Sequence, residues 1–293
     1  MKKRIAKMIE MIALIAVGVL MFATPPASAA VKKQDKPYFK AEMIYDKIPG
    51  YPSAHGSTIV ETKNGDLVAA WYVGAFEKAT DVAIFSSRIP AGKKEWTKPV
   101  VIHDTPDLSD GNPVLFEAPN GKLWLYFVAI YGKSWNDCPI LAKYSTDYGR
   151  TWSEPRTIRE KKGWMTRNKP IVLRDKRILL PLYDEGVFQP HFFISSDGGE
   201  TWNNWGYISQ YQTLQPTVIE RKDGNLYCML RNAAKGGIMQ SESSNLGKSW
   251  SKAAPSGLPN PGSAVDMVKL ADGHVALAFN DSNSNRNPLT IAL

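Results

Sequence analysis

Short apolar runs recur along the chain, and five of them start directly after the same kind of polar turn. The turns are Asn64-Gly65, Asn120-Gly121, Asp175-Lys176, Asp223-Gly224 and Asp272-Gly273. The runs that follow cover residues 67–72, 123–128, 178–183, 226–231 and 275–280. A tight turn that opens an apolar strand is typical of a β-hairpin. The pattern therefore predicts five similar hairpins, spaced 48 to 56 residues apart.

A second repeat runs in step with the hairpins. The octapeptide Ser-Thr-Asp-Tyr-Gly-Arg-Thr-Trp at residues 145–152 returns in related form at residues 195–202 and, further changed, at residues 243–250. The period of about 50 residues suits four short antiparallel strands, as in one blade of a β-propeller. In each copy the Asp side chain can accept backbone N–H groups, Gly supplies a positive φ, and Trp fills the space beside the strands. We interpret the octapeptide as a folding element rather than a catalytic one.

The repeats predict an all-β fold, a β-propeller with about five blades that occupies residues 39–293. Residues 288–293 are similar to the strand that precedes each octapeptide, so we expect the chain given to end inside a blade. Residues 30–38 are predicted to be a linker.

The first 29 residues have the pattern of a secretory signal peptide. A basic start is followed by an apolar segment at residues 11–23 and by Ala27-Ser28-Ala29, a small-residue cleavage site. We expect a secreted or cell-envelope protein with no stable membrane insertion after cleavage. An uncleaved anchor is the alternative.

Charge, cysteine content and histidine spacing limit which partners, disulfides and metal sites are expected. The full chain has a net charge of +8, and removal of the signal peptide lowers it to +5, with no Lys/Arg run beyond Lys32-Lys33. Nucleic acid is therefore not predicted as a partner. Cys138 and Cys228 have no short-range partner pattern, so buried free thiols are preferred over a disulfide. The four histidines lack metal-ligand spacing, and no metal or cofactor is predicted.

Polar groups just beyond the apolar strands are the candidates for a binding site, because propeller pockets form at the central axis from such loops. Amides precede Pro or Lys-Pro in three successive repeats, at Asn112, Asn168 and Gln215. They predict either turns or a polar ring for sugar hydroxyls. The other candidates are Arg167 for positive potential, Tyr183 and Trp71 for contact with a sugar, and Asp184 and Glu185 as proton donors whose pKa a dry setting would raise.

The octapeptides, the hairpins and the export signal together make the chain from Tyr51 to Leu293 resemble the sialidase superfamily of Asp-box (BNR-repeat) β-propellers. The resemblance implies a six-bladed propeller, of which about five blades lie in this chain. It also implies three arginines that bind the substrate carboxylate, an Asp acid/base and a Tyr nucleophile assisted by a Glu. Planar guanidinium groups suit this task because they bind a carboxylate through two parallel hydrogen bonds.

The family's site residues match this sequence in part. Arg231 and Arg286 fit the second and third arginines, and Asp81 fits the acid/base. His55 stands where the first arginine is expected and Gln215 where the assisting Glu is expected. The nucleophilic Tyr is expected beyond the last residue given.

The resemblance therefore implies an exported hydrolase that cleaves a terminal acidic sugar from an extracellular glycan or oligosaccharide. Two alternatives stay open. A propeller-type polysaccharide lyase would use His55 with a Tyr to abstract a proton beside a uronate carboxylate, and a non-catalytic glycan-binding propeller would keep only the basic pocket.

Overall fold

The computed structural model of the protein describes residues 41–209, 212–234 and 236–293. The predicted signal peptide at residues 1–29 and the predicted linker at residues 30–38 lie outside the described residues. From Met43 onward the chain forms one compact unit. No helix in the described stretches is long and apolar enough to cross a bilayer.

Within the described residues, twenty strands form five antiparallel sheets, which we number as blades 1 to 5 in chain order. Blade 1 contains β1 (Ser53–Glu61), β2 (Leu67–Gly74), β3 (Ala83–Ile89) and β4 (Val100–His103). Blade 2 contains β5 (Ser109–Glu117), β6 (Leu123–Ile130), β7 (Ile140–Ser145) and β8 (Arg156–Arg159), with a short 3-10 helix at Trp135–Asp137 between β6 and β7.

Blade 3 contains β9 (Trp164–Met165), β10 (Ile171–Val172), β11 (Ile178–Asp184), β12 (Gln189–Ser195) and β13 (Asn203–Tyr207). Blade 4 contains β14 (Thr213–Glu220), β15 (Leu226–Asn232), β16 (Met239–Ser243) and β17 (Ala254–Pro255). Blade 5 contains β18 (Asp266–Lys269), β19 (Val275–Asn280) and β20 (Leu289–Ala292).

The five predicted hairpins are β1–β2, β5–β6, β10–β11, β14–β15 and β18–β19. Each predicted apolar run is the second strand of its hairpin, and the observed strands extend at most two residues further. Strands follow one another in the sheet in chain order, except that β9 pairs with β11. The prediction of an all-β propeller with five blades is confirmed.

The core lies between neighbouring blades, and β6 shows how one strand serves two layers. Its side chains alternate, so Leu123, Leu125 and Phe127 pack with the apolar residues of blade 1. Trp124 and Tyr126, which point to the opposite face, pack with those of blade 3. Successive residues of a strand face opposite sides, and here both sides are covered. Every residue of β6 is consequently buried.

The first octapeptide forms a closed turn held by its own side chains. Asp147 Oδ1 accepts the N–H groups of Arg150 at 3.0 Å and of Thr151 at 2.8 Å, and Ser145 Oγ accepts that of Gly149 at 2.8 Å. Burial opposes ionisation of Asp147, but these hydrogen bonds outweigh it and lower its pKa to about 2. The carboxylate is therefore committed to the turn.

The second and third copies repeat this arrangement. Asp197 binds Thr201 in the same way, and Asn245 replaces the carboxylate in the third copy. The tryptophan of each copy, at positions 152, 202 and 250, packs at the margin of a core layer. Cys138 and Cys228 are buried free thiols, as predicted.

Candidate functional site

Residues from blades 2 to 5 converge where β11 of blade 3 and β15 of blade 4 end. We call this group the axial cluster: Asn112, Arg167, Tyr183, Glu185, Gln215, Arg231 and Arg286. Tyr183 and Arg231 are the penultimate residues of β11 and β15. Arg167 lies between β9 and β10, and Arg286 lies between β19 and β20. The cluster thus joins residues more than 170 positions apart in the chain.

The hydroxyl of Tyr183 is the centre of the cluster. Asn112 Nδ2 and Gln215 Nε2 each donate to Tyr183 Oη at 3.4 Å. Glu185 lies close enough to the same hydroxyl for its charge to act on it. Since a phenol oxygen accepts two hydrogen bonds and donates one, the two amides leave the phenolic proton available to Glu185.

The two amides reach Tyr183 because of a local backbone feature. Asn112 and Gln215 lie in β-bulges of β5 and β14, with φ of 48° and 53°. A bulge inserts an extra residue and redirects a side chain, and Asn tolerates positive φ better than most residues. Both side chains are buried, at 8% and 7% exposure, and therefore depend on these partners.

Two guanidinium groups, those of Arg167 and Arg231, lie near Tyr183, and that of Arg286 lies near Arg231. Arg231 lies close enough to Arg286, Arg167 and Glu185 for their charges to act on it. Its own pKa is lowered because burial outweighs the opposing charges of Tyr183 and Glu185, and Arg286 and Arg167 add to the lowering. Within the described residues none of these arginines forms an ion pair.

Arg231 is also short of hydrogen-bond partners. Its Nη1 donates to Gln215 Oε1 at a long 3.4 Å, and its buried Nε has no partner among the described atoms. A buried, unpaired donor is costly in free energy, so such groups call for an explanation. A bound anion would satisfy all of these donors at once.

Glu185 supplies the carboxylate of the axial cluster and is the candidate base. Burial raises its pKa, although the positive charge of Arg231 and the hydrogen bond from Tyr183 both act against the rise. Burial likewise raises the pKa of Tyr183, with the negative charge of Glu185 as the second cause. Both groups therefore hold their protons more tightly than in water.

A second tyrosine and carboxylate lie beside the cluster in blade 1. Tyr72 donates to Glu77 Oε1 at 3.1 Å, and Tyr72 is near enough to Arg167 and Tyr183 to feel their charges. The ring of His55 stacks on Tyr72 with centroids 5.7 Å apart, while Ser53 Oγ lies 2.8 Å from His55 Nε2. His55 itself is exposed.

Sequence reasoning did not single out Glu77. The signal was present, because a tyrosine near the end of a second strand is followed shortly by a glutamate twice, at Tyr72 with Glu77 and at Tyr183 with Glu185.

The remaining predicted site residues have structural partners. Asp81 accepts the N–H of Ala75 with both carboxylate oxygens at 3.1 Å and is exposed in the loop between β2 and β3. Asp184 accepts Trp164 Nε1 at 3.1 Å and Gly186 N at 2.8 Å, which closes the turn after β11.

Asn168 and Trp71 are both buried. Asn168 Nδ2 lies within 3.0 to 3.1 Å of three backbone carbonyls, those of Gln215, Pro216 and Val265, and so links blades 3, 4 and 5. Trp71 stacks on Tyr45 at 5.3 Å within an apolar layer of blade 1, outside the axial cluster.

A family comparison agrees with the repeats and the fold. The BNR repeat-like domain model matches residues 65–293. The chain belongs to this family. The sialidase-superfamily resemblance of the repeats is therefore confirmed, since curated and structural relatives point the same way. Among curated proteins, a sialidase from Bacteroides fragilis is 24% identical over 272 residues, which cover 78% of this chain and 50% of that protein.

Solved structures show the same fold at low identity. The Hadza microbial sialidase Hz136 matches with a TM-score of 0.70 and 20% identity, over 83% of this chain and 56% of that chain. A protein of unknown function from Dyadobacter fermentans matches with a TM-score of 0.66 and 20% identity, over 79% and 80%. The chain spans about half the length of the curated sialidase from Bacteroides fragilis.

Proposed function

We propose that this BNR-repeat protein is a sialidase-like glycoside hydrolase that removes a terminal, carboxylate-bearing sugar from a glycan. The observation that carries the proposal is the set of three arginines, Arg167, Arg231 and Arg286, grouped beside the Tyr183–Glu185 pair with no ion pair among the described residues. The sialidase relatives support the same reaction class.

Substrate binding follows from the electrostatics of the cluster. A sugar carboxylate placed among the arginines would accept charge-assisted hydrogen bonds, including one from the unsatisfied Nε of Arg231. Arg231 is half-buried, so water competes less there than at the exposed Arg286. We assign the main orienting role to Arg231, with Arg286 and Arg167 completing the site.

The bond-breaking step uses the tyrosine and two carboxyl groups. Tyr183 Oη attacks the anomeric carbon while its proton passes to Glu185. The glycosidic oxygen leaves with a proton from Asp81, whose carboxyl group must first release the N–H of Ala75. Water then replaces Tyr183 at the anomeric carbon, Asp81 recovers a proton, and Glu185 returns its proton to Tyr183. The N–H groups of Asn112 and Gln215 stabilise the negative charge that develops on Tyr183 Oη.

A second candidate reaction is elimination at a uronate. His55 stacks on Tyr72, so the histidine and tyrosine that a lyase needs lie together at the edge of the same cluster. In that reaction His55 abstracts the proton beside the carboxylate, the glycosidic C–O bond breaks, and the leaving oxygen takes a proton from Tyr72, so an unsaturated sugar forms without addition of water. A glycan-binding propeller without catalysis is the third outcome.

We further propose that the protein is exported and meets its glycan outside the cytoplasm. The support is the signal-like pattern of the first 29 residues. Comparison of the amino terminus of the secreted and cell-associated protein by sequencing tests this point. Recovery of the protein only in the cytoplasmic fraction would refute export.

The proposed reaction is tested with the purified full chain on fluorogenic α-sialoside, β-glucuronide and β-galactoside substrates, followed by mass spectrometry of products in 18O-labelled water. We expect cleavage of an acidic glycoside with one labelled oxygen, and no cleavage of the galactoside. The Arg231→Met and Glu185→Gln variants should lose this activity, and Tyr207→Ala should keep it. An unsaturated product would instead establish elimination, and cleavage that ignores the carboxylate would refute the proposal.

A further inference from the structure

A second concavity lies at the seam between blades 1 and 2. Its volume is about 620 Å3. It is bounded by β4 and the segment that follows it, by Tyr131 after β6, and by β7 and the start of β8. We call it the seam groove. None of the catalytic or carboxylate-binding roles proposed above uses its residues.

One row of residues in blade 1 runs from the tyrosine beside the axial cluster to a residue of the seam groove. In blade 1 the register pairs Tyr72 with Ile84 and Ile84 with His103, so Tyr72 and His103 lie in one row across the sheet. Tyr131 directly follows Ile130, the last residue of β6. The end of the groove at His103 therefore lies in the same row as Tyr72, the tyrosine that borders the cluster.

The 3-10 helix connects the two places. Trp135 packs edge-on against Tyr72, with ring centroids 6.3 Å apart. At the other end of the helix, the carbonyl of Asp137 accepts the N–H of Tyr131 at 3.4 Å. The 3-10 helix therefore contacts a residue beside the axial cluster at one end and a residue of the seam groove at the other.

The floor of the groove is held by a buried polar network. Thr105 Oγ1 donates to Asp110 Oδ1 at 2.8 Å and accepts from His103 Nε2 at 3.0 Å, and Thr105 N donates to Asp110 Oδ2 at 2.9 Å. Asp110 is fully buried, and the His103 ring rests on Phe127 with centroids 4.4 Å apart. Such a network orders the segment after β4 before any ligand arrives.

The walls of the groove are of mixed character. Lys143, whose Nζ donates to the carbonyl of Ile102 at 2.9 Å, faces the exposed carboxylates of Asp104 and Glu154. The ring of Tyr131 is 52% exposed, although Lys162 Nζ lies 5.5 Å from its centroid. One cation beside two anions does not favour an acidic ligand, in contrast to the axial cluster.

We propose that the seam groove binds neutral sugar units, those to which the acidic terminal sugar is attached; this inference rests on the proposed function. A neutral sugar ring has donors and acceptors around its edge for Glu154, Asp104 and Thr105. It also has a flat apolar face suited to an exposed aromatic ring such as Tyr131. The groove would therefore decide which glycan chains are accepted.

Kinetics and direct binding test the groove. In Tyr131→Ala, we expect KM for an acidic trisaccharide with two neutral units to rise about 3- to 10-fold, because one stacked ring is lost. KM for a fluorogenic acidic monosaccharide should stay unchanged. Tyr207→Ala is the matched control, since Tyr207 is 55% exposed but lies on blade 3 outside the groove. Glu154→Gln should also raise KM for the trisaccharide alone.

Direct binding separates failure of the groove from failure of the proposed reaction. Saturation-transfer NMR with lactose, cellobiose and maltose should show contact that Tyr131→Ala removes and Arg231→Met retains, whether or not the protein cleaves anything. Absence of saturation transfer for all three disaccharides would overturn the inference. It would also be overturned by equal KM changes for the trisaccharide and the monosaccharide in Tyr131→Ala.

Discussion

Asn112 in blade 2 and Gln215 in blade 4 both have a positive φ and lie at corresponding bulges of their blades. The side-chain amide nitrogen of each lies 3.4 Å from the hydroxyl of Tyr183. The blades on either side of blade 3 therefore position its tyrosine together. This relationship gives the first prediction.

Asn112→Gly removes one of the two donors and keeps the backbone, because Gly adopts positive φ freely and the Asn112 carbonyl still accepts from Thr166. We expect kcat for the acidic substrate to fall about 5- to 10-fold, the value of one hydrogen bond. KM should change little, since the arginines are untouched. Steady-state kinetics check this, and an unchanged kcat would remove Asn112 from the mechanism.

Arg231→Met should weaken binding and strengthen the fold. Loss of the guanidinium removes about 2–4 kcal/mol of transition-state stabilisation. The free protein no longer holds an unpaired buried Nε, so its Tm should rise by about 2–4 °C. Arg286→Met, at an exposed position, should lower binding without that rise in Tm. Differential scanning calorimetry distinguishes the two variants, and a lower Tm for Arg231→Met would contradict this assignment.

Gly56→Ala tests the placement of Tyr72. A Cβ on Gly56 would lie 2.4 Å from Tyr72 Cε1, and φ at this residue is 60°. We expect a loss of about 2–3 kcal/mol in unfolding free energy, from backbone strain and displacement of the ring together. Gly92→Ala is the control, because its φ is 76° and nothing lies within 4 Å of the added carbon. Equal losses in the two variants would show that contact with Tyr72 has no effect.

Asp110→Asn tests the network under the seam groove through the pH dependence of stability. Burial, with a smaller contribution from Asp104, raises the pKa of Asp110 to about 7 against the hydrogen bonds from Thr105. The folded state thus binds a proton that the unfolded state releases near pH 4, so this group lowers stability as pH rises from about 4 to about 7.

His103 and His191, whose pKa values burial lowers to about 4, act in the opposite direction and are common to both proteins. The comparison of wild type with Asp110→Asn therefore cancels His191 and reports the carboxyl together with its effect on His103, whose Nε2 lies 3.8 Å from Asp110 Oδ1. From pH 5 to pH 7.5 the unfolding free energy of Asp110→Asn should rise relative to that of wild type by on the order of 2 kcal/mol. Urea unfolding at the two pH values measures it, and a constant difference would disprove the raised pKa.

Local signals were sufficient for the blades. The turns at Asn64-Gly65 and Asp223-Gly224 place the hairpins, and the runs that follow became β2 and β15 with their starts unchanged. These features depend on a few neighbouring residues, so they can be read from one sequence. The octapeptides also form closed turns from their own side chains, as in the bonds of Asp147 to Arg150 and Thr151.

Local sequence signals predicted only part of the candidate site. Tyr183, Glu185, Gln215 and Arg231 were candidates by position after a strand, but nothing local indicates that they share one hydrogen-bonded group or that Asn168 is fully used by backbone carbonyls. Trp71 obeys the same positional rule and lies in the core instead.

The amino-acid sequence by itself determined the repeat, the strands and the turn chemistry of this protein, because each depends on interactions within one hairpin. Only the tertiary structure decided which polar side chains meet. The amides of blades 2 and 4 reach Tyr183 in blade 3 through bulges whose direction depends on how whole blades pack, and that packing is a long-range property of the folded chain.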